Sequence, residues 1–526
     1  MAKTKKRKRN KRDTKQQTLS LCMIVKNEEQ NLADCLESVK DVVDEIVIVD
    51  TGSNDRTVEI AEGYGAKIYT FKWKNDFSAA RNESLKFATG DWILYMDADE
   101  RLLPGQETGL KKLIKRHDIH AYILHVISVQ QYKDHSEKYS MAYPRLFRRD
   151  PRIRFEGIVH EQVGPSLKRN GLRVEASKIK IDHLGYGVSW ELVRDKNERN
   201  IDLLRSQLEQ APDDMYIRFQ LANSYATLEY YEEMNRELRR VLNSVTTPRS
   251  IRVAALNLAA VDAYNNNKID VSITYARESL SLIRFQMTGR WIVANALFKE
   301  QDFQGAIKVF EEIIKDYSLL HRGNGDVLAY DIVLPLSRIY RKLGEALQKL
   351  VRDQEAVEAF GKAFHDDPTN GSLFTDYYAA MISAYDKKKV IEILKRLNNR
   401  NPDTPVILNA LADQYRDIFD NDTAVELIEK SRRINGSHPG TVALKAKWQI
   451  EDGYLETAEE ILLDAVNKGI DSYEIRKYSL DIALKKQEFA QAVLHLQKMA
   501  QYIPDDNPDL KARVQSVHNR LSAYQS

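Results

Sequence analysis

The chain is 526 residues long, 43% hydrophobic and 30% charged, with a formal net charge of +2. One hydrophobic core rarely serves so long a chain, so two or more domains are expected. No apolar run approaches the roughly 18 residues that cross a bilayer, which disfavours a processive, polymer-exporting membrane enzyme.

Residues 1–15 hold nine Lys/Arg and one Asp, while the rest of the chain carries 70 basic and 76 acidic residues. A basic arm on a mildly acidic body reads as a disordered, solubilising tail over residues 1–17. No aromatic residue interleaves with its charges, so nucleic acid is not expected as a partner. An apolar secretory segment is lacking, and Cys22 and Cys35 suggest no disulfide framework, so a reducing cytoplasmic setting is expected.

Between Leu19 and about Gly187, strand-like and helix-like segments alternate. Leu19–Val25 is an apolar run, followed by a polar helix start at Asn27–Glu29 and a helix through Val39. Glu45–Asp50 reads as the next strand, and Asn54-Asp55 as the cap of a helix through Gly63. Ala66–Phe71 makes a third strand, Phe77–Thr89 a helix stopped by Gly90, and Asp91–Met96 a fourth strand. This alternation predicts a right-handed, mostly parallel sheet flanked by helices. Ala121–Val129, Tyr143–Arg148 and Lys178–Asp182 read as further strands of mixed direction.

Two of the predicted parallel strands end abruptly in acid, in VIVDTGSNDRT (Val47 to Thr57) and ILYMDADE (Ile93 to Glu100). In parallel sheets the loops beyond the strand carboxyl ends form the ligand crevice, so Asp50, Asp97 and Asp99 are expected to meet in one cleft. Asp50 can accept hydrogen bonds from a base N–H or a ribose hydroxyl. Thr51, Gly52 and Ser53 let the backbone turn tightly beside it, ahead of a helix N-terminus. Asp97-Ala98-Asp99 offers two hard carboxylates to a divalent cation. Arg81 and Asn82, on the helix before that strand, suit a diphosphate and a sugar hydroxyl. Asp76, just before the same helix, either bonds a donor sugar or caps the helix. His160 and Glu161 follow the Gly157 turn in RFEGIVHEQV (Arg154 to Val163), and His183 in IDHLGYG (Ile181 to Gly187) is a further candidate for a diphosphate or metal contact.

After Ser189 the pattern becomes almost continuously helical. Ala356, Val390, Ala424, Ala458 and Ala492 recur every 34 residues, followed four positions later by Phe360, Leu394, Ile428, Leu462 and Leu496. Ala363, Leu397, Ser431, Ala465 and Met499 come three further on, and Pro368, Pro402 and Pro504 close units in the same phase. Weaker units are marked by Ala222, Tyr225 and Leu238 and by Ala294, Leu297, Ala306 and Phe310. This arrangement resembles tetratricopeptide (TPR) repeats, whose helix pairs stack into a superhelix with an extended concave face. Tyr225, Asn257, Asn295 and Tyr340 are candidates to line such a groove, although most residues of this kind are expected to be packing.

The N-terminal segments resemble the family 2 glycosyltransferases, which share a GT-A nucleotide-sugar-binding fold. The matching stretches are LCMIVKNEEQNL (Leu21 to Leu32), EIVIVDTGSNDRT (Glu45 to Thr57), FSAARNESL (Phe77 to Leu85) and DWILYMDADE (Asp91 to Glu100). The resemblance implies an α/β GT-A domain, Rossmann-like and mostly parallel, over residues 18–187, followed by an all-α TPR solenoid over 188–526. It implies a nucleotide-sugar site formed by Lys26, Asn27, Asp50, Thr51, Gly52, Arg81, Asn82, Asp97 and Ala98, with Asp50 on the uracil or ribose. It also implies a divalent metal, Mn²⁺ or Mg²⁺, held by Asp99, with Asp97 facing the ribose or a metal-bound water; His160 is a candidate either to complete the metal shell or to contact the diphosphate. Family members usually invert the anomeric centre, which requires a base for the acceptor proton. Glu161 is the first candidate and Asp76 the second, because the family's short acidic motif after the DxD strand has no unambiguous copy here.

The expected function is a cytoplasmic, metal-dependent glycosyltransferase that moves a sugar from a UDP-hexose or UDP-HexNAc donor. Its expected acceptor is a peptide or protein held in part by the TPR region, and pairing of repeat surfaces into a homodimer is a further expectation. The alternative is a TPR scaffold with a degenerate nucleotide-sugar domain; the intact Asp50, Asp97 and Asp99 argue against it.

Overall fold

The computed structural model describes residues 17–131, 136–184, 190–322, 330–503 and 514–519. The expected tail, up to residue 16, and Pro504 lie outside the described residues. The molecule forms two compact units that divide between Ile339 and Tyr340.

The first unit opens with β1 (Leu19–Val25), α1 (Leu32–Val39), β2 (Glu45–Asp50), α2 (Thr57–Gly63), β3 (Lys67–Thr70), α3 (Phe77–Phe87) and β4 (Trp92–Tyr95). The run EIVIVD presents apolar side chains to both faces, and Val47, Ile48 and Val49 are accordingly buried on both. These strands pair in the order β3-β2-β1-β4, all parallel. Asp50 lies level with Val25, and Tyr95 with Cys22, so the chain leaves β2, β1 and β4 along one sheet edge. The first helix begins later than Asn27, at Leu32. Asn27 takes a left-handed φ of 57°, and its backbone N–H donates to Ser53 Oγ at 3.0 Å instead of entering a helix.

The sheet continues through β5 (Glu100–Leu102), α4 (Glu107–Leu113), β6 (Ala121–Gln131), β7 (Ser136–Arg148), α5 (Gly164–Arg169) and β8 (Val174–His183). β7 runs antiparallel to both β4 and β6, β8 parallel to β6, and β5 antiparallel to β8, so this half is mixed as expected. The short β5, directly after the acidic strand end, was not legible as a strand.

Helices α6 (Trp190–Gln210), α7 (Met215–Thr227), α8 (Tyr231–Asn243), α9 (Arg249–Asn265), α10 (Ile269–Leu282), α11 (Met287–Lys299) and α12 (Phe303–Arg322) complete the first unit with β9 (Asp331–Ile332). The first helices of the repeat region thus share a compact unit with the sheet. Val159 is buried in one cluster with Ile201, Leu204, Met215 and Phe219. β9 pairs antiparallel with β7, with Ser140 opposite Asp331. The Asp331 carboxylate then caps α11, accepting from the backbone N–H of Met287 at 2.9 Å and of Thr288 at 2.8 Å.

The second unit holds most of α13 (Leu336–Lys349), then α14 (Asp353–Asp366), α15 (Gly371–Ala384), α16 (Lys387–Arg400), α17 (Pro405–Asp417), α18 (Asn421–Ile434), α19 (Pro439–Glu451), α20 (Leu455–Asn467), α21 (Tyr473–Lys485) and α22 (Phe489–Ala500). The residues recurring every 34 positions are its core: Ala356, Val390, Ala424, Ala458 and Ala492 are each at most 1% exposed. Helices α15, α17, α19 and α21 pack in a row, each with its following helix beside it, the alternation of a TPR solenoid. Gly344 permits close approach of α13 and α14, since a Cβ there would lie 2.8 Å from the Phe360 ring. Tyr225 and Asn257, candidate groove residues, are instead buried, Asn257 donating to Gln286 Oε1 at 2.7 Å. Asn295 bonds the Trp291 carbonyl of its own helix, and Tyr340 lies under the Lys362 ammonium. No helix among the described residues is long and apolar enough to cross a membrane.

Candidate active site

The exits of β1 and β2 are stitched together by short polar side chains. Asn27 Oδ1 accepts from the Asn54 backbone N–H at 2.8 Å, and Thr51 Oγ1 and N–H both reach the Val25 carbonyl. The buried Asp50 carboxylate turns onto its own loop, accepting from Gly52 N–H at 3.1 Å, Ser53 N–H at 3.1 Å and Ser53 Oγ at 2.5 Å. Gly52 holds a φ of 111°, which few other residues tolerate, and no atom lies within 4 Å of where its Cβ would be. Lys26 and Asn27 are exposed at this edge.

Beyond β4, Arg81 organises the acids. Its α3 is pinned by Asp76, which serves as N-cap and accepts from Ala79 N–H at 2.9 Å. Arg81 Nη2 donates to Asp97 Oδ1 at 2.6 Å and its Nε to Glu161 Oε1, while its guanidinium lies over the Tyr95 and Phe155 rings. Its Nη1 is buried with no hydrogen-bond partner among the described residues. Asn82 has both amide atoms on the Phe155 backbone, at 2.9 Å each, and so fixes the start of the Glu161 loop. Ala98 is buried, and its carbonyl accepts from Arg101 Nη1 at 2.7 Å.

A second arginine, Arg145 on β7, backs the same cluster. Its Nη2 donates to Glu100 Oε1 at 2.7 Å and lies 3.9 Å from Asp97 Oδ2. Glu100 Oε2 in turn accepts from the Asp97 backbone N–H at 2.9 Å. Burial opposes ionisation of Asp97, but the Arg81 and Arg145 charges outweigh it and hold this carboxyl well below the usual range. Burial lifts the Glu100 carboxyl above its ordinary value, with Arg145 opposing and Asp97 adding to the rise.

Asp99 is paired differently. Its Oδ2 meets His183 Nε2 at 3.0 Å, and His183 Nδ1 lies 2.9 Å from Ser128 Oγ. Burial raises the Asp99 carboxyl, but the His183 hydrogen bond and charge bring it below normal; Asp97 opposes this, and Lys196 lowers it further. Burial pulls His183 down, yet its bond to Asp99 raises it overall. His160 sits at a φ of 54° with its carbonyl accepting from Tyr216 Oη at 3.2 Å. Burial, with the Lys196 charge, pushes its imidazole down to about 4, and its Nε2 has no partner among the described residues.

Direct contact therefore joins Asp97, Arg81 and Glu161, and separately Asp99 and His183. The expected metal set is not gathered in this way: among the described residues no three His, Cys, Asp or Glu side chains stand together to hold an ion. The physical reason is that Asp97 is taken up by two arginines. Arg145 and Glu100 were not anticipated as part of the site. The available signal was an arginine inside the apolar strand YPRLF, where only a buried acid would keep it.

The sequence profile of Glycosyl transferase family 2 matches residues 20–170. The chain is 32% identical over 294 residues to the TPR repeat-containing protein Synpcc7942_0270 of Synechococcus elongatus, covering 54% of this chain and 71% of that one. It is 30% identical over 266 residues to the SPbeta prophage-derived glycosyltransferase SunS of Bacillus subtilis, covering 49% of this chain and 61% of SunS. The chain belongs to the family 2 glycosyltransferases. The helical repeats follow a glycosyltransferase domain. Among solved structures, this glycosyltransferase is similar to the TPR protein YrrB (TM-score 0.27, 12% identity, 40% of this chain and 97% of that chain). It is also similar to glucosyl-3-phosphoglycerate synthase from Mycobacterium tuberculosis, solved with Mn²⁺, UDP and phosphoglyceric acid (TM-score 0.19, 21% identity, 21% of this chain and 43% of that chain).

Proposed function

We propose that this glycosyltransferase moves a hexose-type sugar from a UDP-linked donor to a polypeptide acceptor, with inversion at the anomeric carbon and with a divalent cation. The observation that carries the reading is the Arg81 guanidinium, which binds an acid of the DxD segment and Glu161 at once. That bridge puts the leading base candidate beside the strand end expected to face the donor diphosphate. Asp76 is the weaker candidate, because its carboxylate caps α3.

Asp99 and His183 supply a carboxylate oxygen and an imidazole nitrogen 3.0 Å apart, a donor pair suited to Mn²⁺ or Mg²⁺. Ser128 fixes the far nitrogen of that imidazole, as outer partners of metal-bound histidines commonly do. When bound, the cation neutralises charge on the departing diphosphate. Arg81 orients Asp97 and Glu161, and its Nη1 offers a further N–H to a ligand oxygen. Glu161 has one oxygen engaged by Arg81, and Oε2 takes the proton from the acceptor atom. As that atom bonds to the anomeric carbon, the bond from this carbon to the diphosphate oxygen breaks, and the nucleoside diphosphate leaves with the electron pair. The stacked repeats favour an extended polypeptide as acceptor, because helix pairs of this kind present continuous surfaces.

The test is UDP release from UDP-sugars with Mn²⁺, alongside mass spectrometry of candidate acceptor peptides. Glu161→Gln is expected to lower kcat by about 10²–10⁴-fold with nucleotide affinity retained, and Asp99→Ala to weaken Mn²⁺-dependent turnover. Unchanged turnover in both variants refutes the assignment.

A further inference from the structure

The first helix after the sheet carries polar groups that the chemistry above leaves unused. The Leu184 N–H donates to the Asp99 carbonyl at 2.8 Å, so the chain is at Asp99 six residues before α6 begins at Trp190. α6 then runs along the loop that holds His160. Leu204 packs in the cluster that buries Val159. Gln207, with its amide oxygen turned to the loop, accepts from Ile158 N–H at 2.7 Å and Val159 N–H at 3.0 Å. Lys196, Asn200 and Gln207 follow at spacings of four and seven, which place them on one stripe of a helix with 3.6 residues per turn. Lys196 lies on the same stripe about three turns before Gln207, near enough to Asp99 and His160 for its charge to act on both.

Three polar groups there are without partners. Lys196 is exposed and makes no hydrogen bond or ion pair with any described residue. Asn200 is 6% exposed, and its Oδ1 is buried and unbonded; the Nε2 of His160 is likewise buried and unbonded. Buried polar atoms are seldom left so, and a ligand is one means of satisfying them. The acids nearby already have cations: Asp97 has two arginines and Asp99 has His183. Lys196 is a cation that no described acid pairs with directly.

We propose that Lys196 on α6, together with the Nε2 of His160, forms a subsite for the diphosphate of the nucleotide-sugar donor, contributed by the first helix of the repeat region. The inference rests on the nucleotide-sugar reading above and adds a residue to it. The ammonium supplies positive charge to the phosphate oxygens, and the buried imidazole, with its proton on Nε2, supplies an N–H.

The experiment is calorimetric titration of the full chain with UDP and with uridine, each with Mn²⁺, for the unmodified protein, Lys196→Ala and Lys196→Arg. Lys196→Ala is expected to weaken UDP binding by about tenfold and leave uridine binding unchanged. Lys196→Arg is expected to bind UDP within about threefold of the unmodified chain. UDP binding unaffected by Lys196→Ala, or an equal loss for uridine, overturns the subsite while leaving the donor assignment standing. An unmodified chain that binds neither molecule overturns the donor assignment, and the subsite with it.

Discussion

Replacing Arg145 by methionine probes the charge cluster behind the DxD segment. Arg145 has a side chain 5% exposed, with Nη2 2.7 Å from Glu100 Oε1 and its guanidinium 4.2 Å from the Tyr95 ring centre. Methionine fills comparable volume but leaves Glu100, 1% exposed, without its cation. Breaking one side of a buried pair costs about 3–5 kcal/mol, and the lost stacking on Tyr95 adds about 1 kcal/mol. Burial already raises the Glu100 carboxyl, so it can take up a proton and relieve part of this. A net loss of about 3 kcal/mol at neutral pH is expected. The double variant Arg145→Met/Glu100→Gln has no orphaned charge and should regain about 2 kcal/mol. A chain with two compact units need not melt in one step, so native-state hydrogen exchange of the β4 amides is the appropriate assay. The single variant should exchange there about 150-fold faster. Unchanged β4 protection in the single variant, or a double variant no better than the sum of the two single changes, refutes the paired-charge account.

Asp99→Asn should lower stability by about 1 kcal/mol or less, since the pair is partly exposed, and only within a pH window. His183, raised in the fold, contributes fully below about pH 6.5 and loses its contribution as pH rises through its folded value; Asp99, lowered, contributes above about pH 4 and loses it as pH falls. Urea midpoints of the two proteins should therefore differ near pH 5–6 and converge at roughly pH 9. In the second unit, Gly344→Ala forces a methyl against the Phe360 ring and should cost about 1–3 kcal/mol, read as faster exchange in α13 and α14 but not in β1.

The parallel half of the sheet was legible because its strands are doubly buried and read as unbroken apolar runs, ending in acids where the ladder stops. The repeats were legible for a related reason: crossing helices need small residues at one fixed spacing, and Ala356, Val390, Ala424, Ala458 and Ala492 keep it. Roles of individual polar residues were harder to read. An asparagine that brackets a backbone segment looks in sequence like one that binds a sugar, and Asn82 does the former. Arg81 carries no sequence mark that it will be shared between Asp97 and a loop 80 residues away. Asp76 was read as a sugar contact, a second candidate base or a cap, and its bond to Ala79 N–H is that of the cap.

The Glu161 loop is held in part by the repeat helices that share the first unit with the sheet. Apart from a single bridge between Glu156 and Gln162, this segment has no strand pairing of its own, and two of its residues, Gly157 and His160, hold positive φ. Such backbone keeps one conformation only if its surroundings impose it. On one side α3 does so, through Asn82 on Phe155, Ser78 Oγ on the Gly157 carbonyl and Phe77 N–H on the Ile158 carbonyl. On the other side the repeat helices do so, through Gln207 on Ile158 and Val159, Tyr216 on His160, and the burial of Val159 among Ile201 and Leu204. Asp97 follows directly on β4, whereas the position of Glu161 depends on both layers, so the first repeat helices help fix where the proposed base stands.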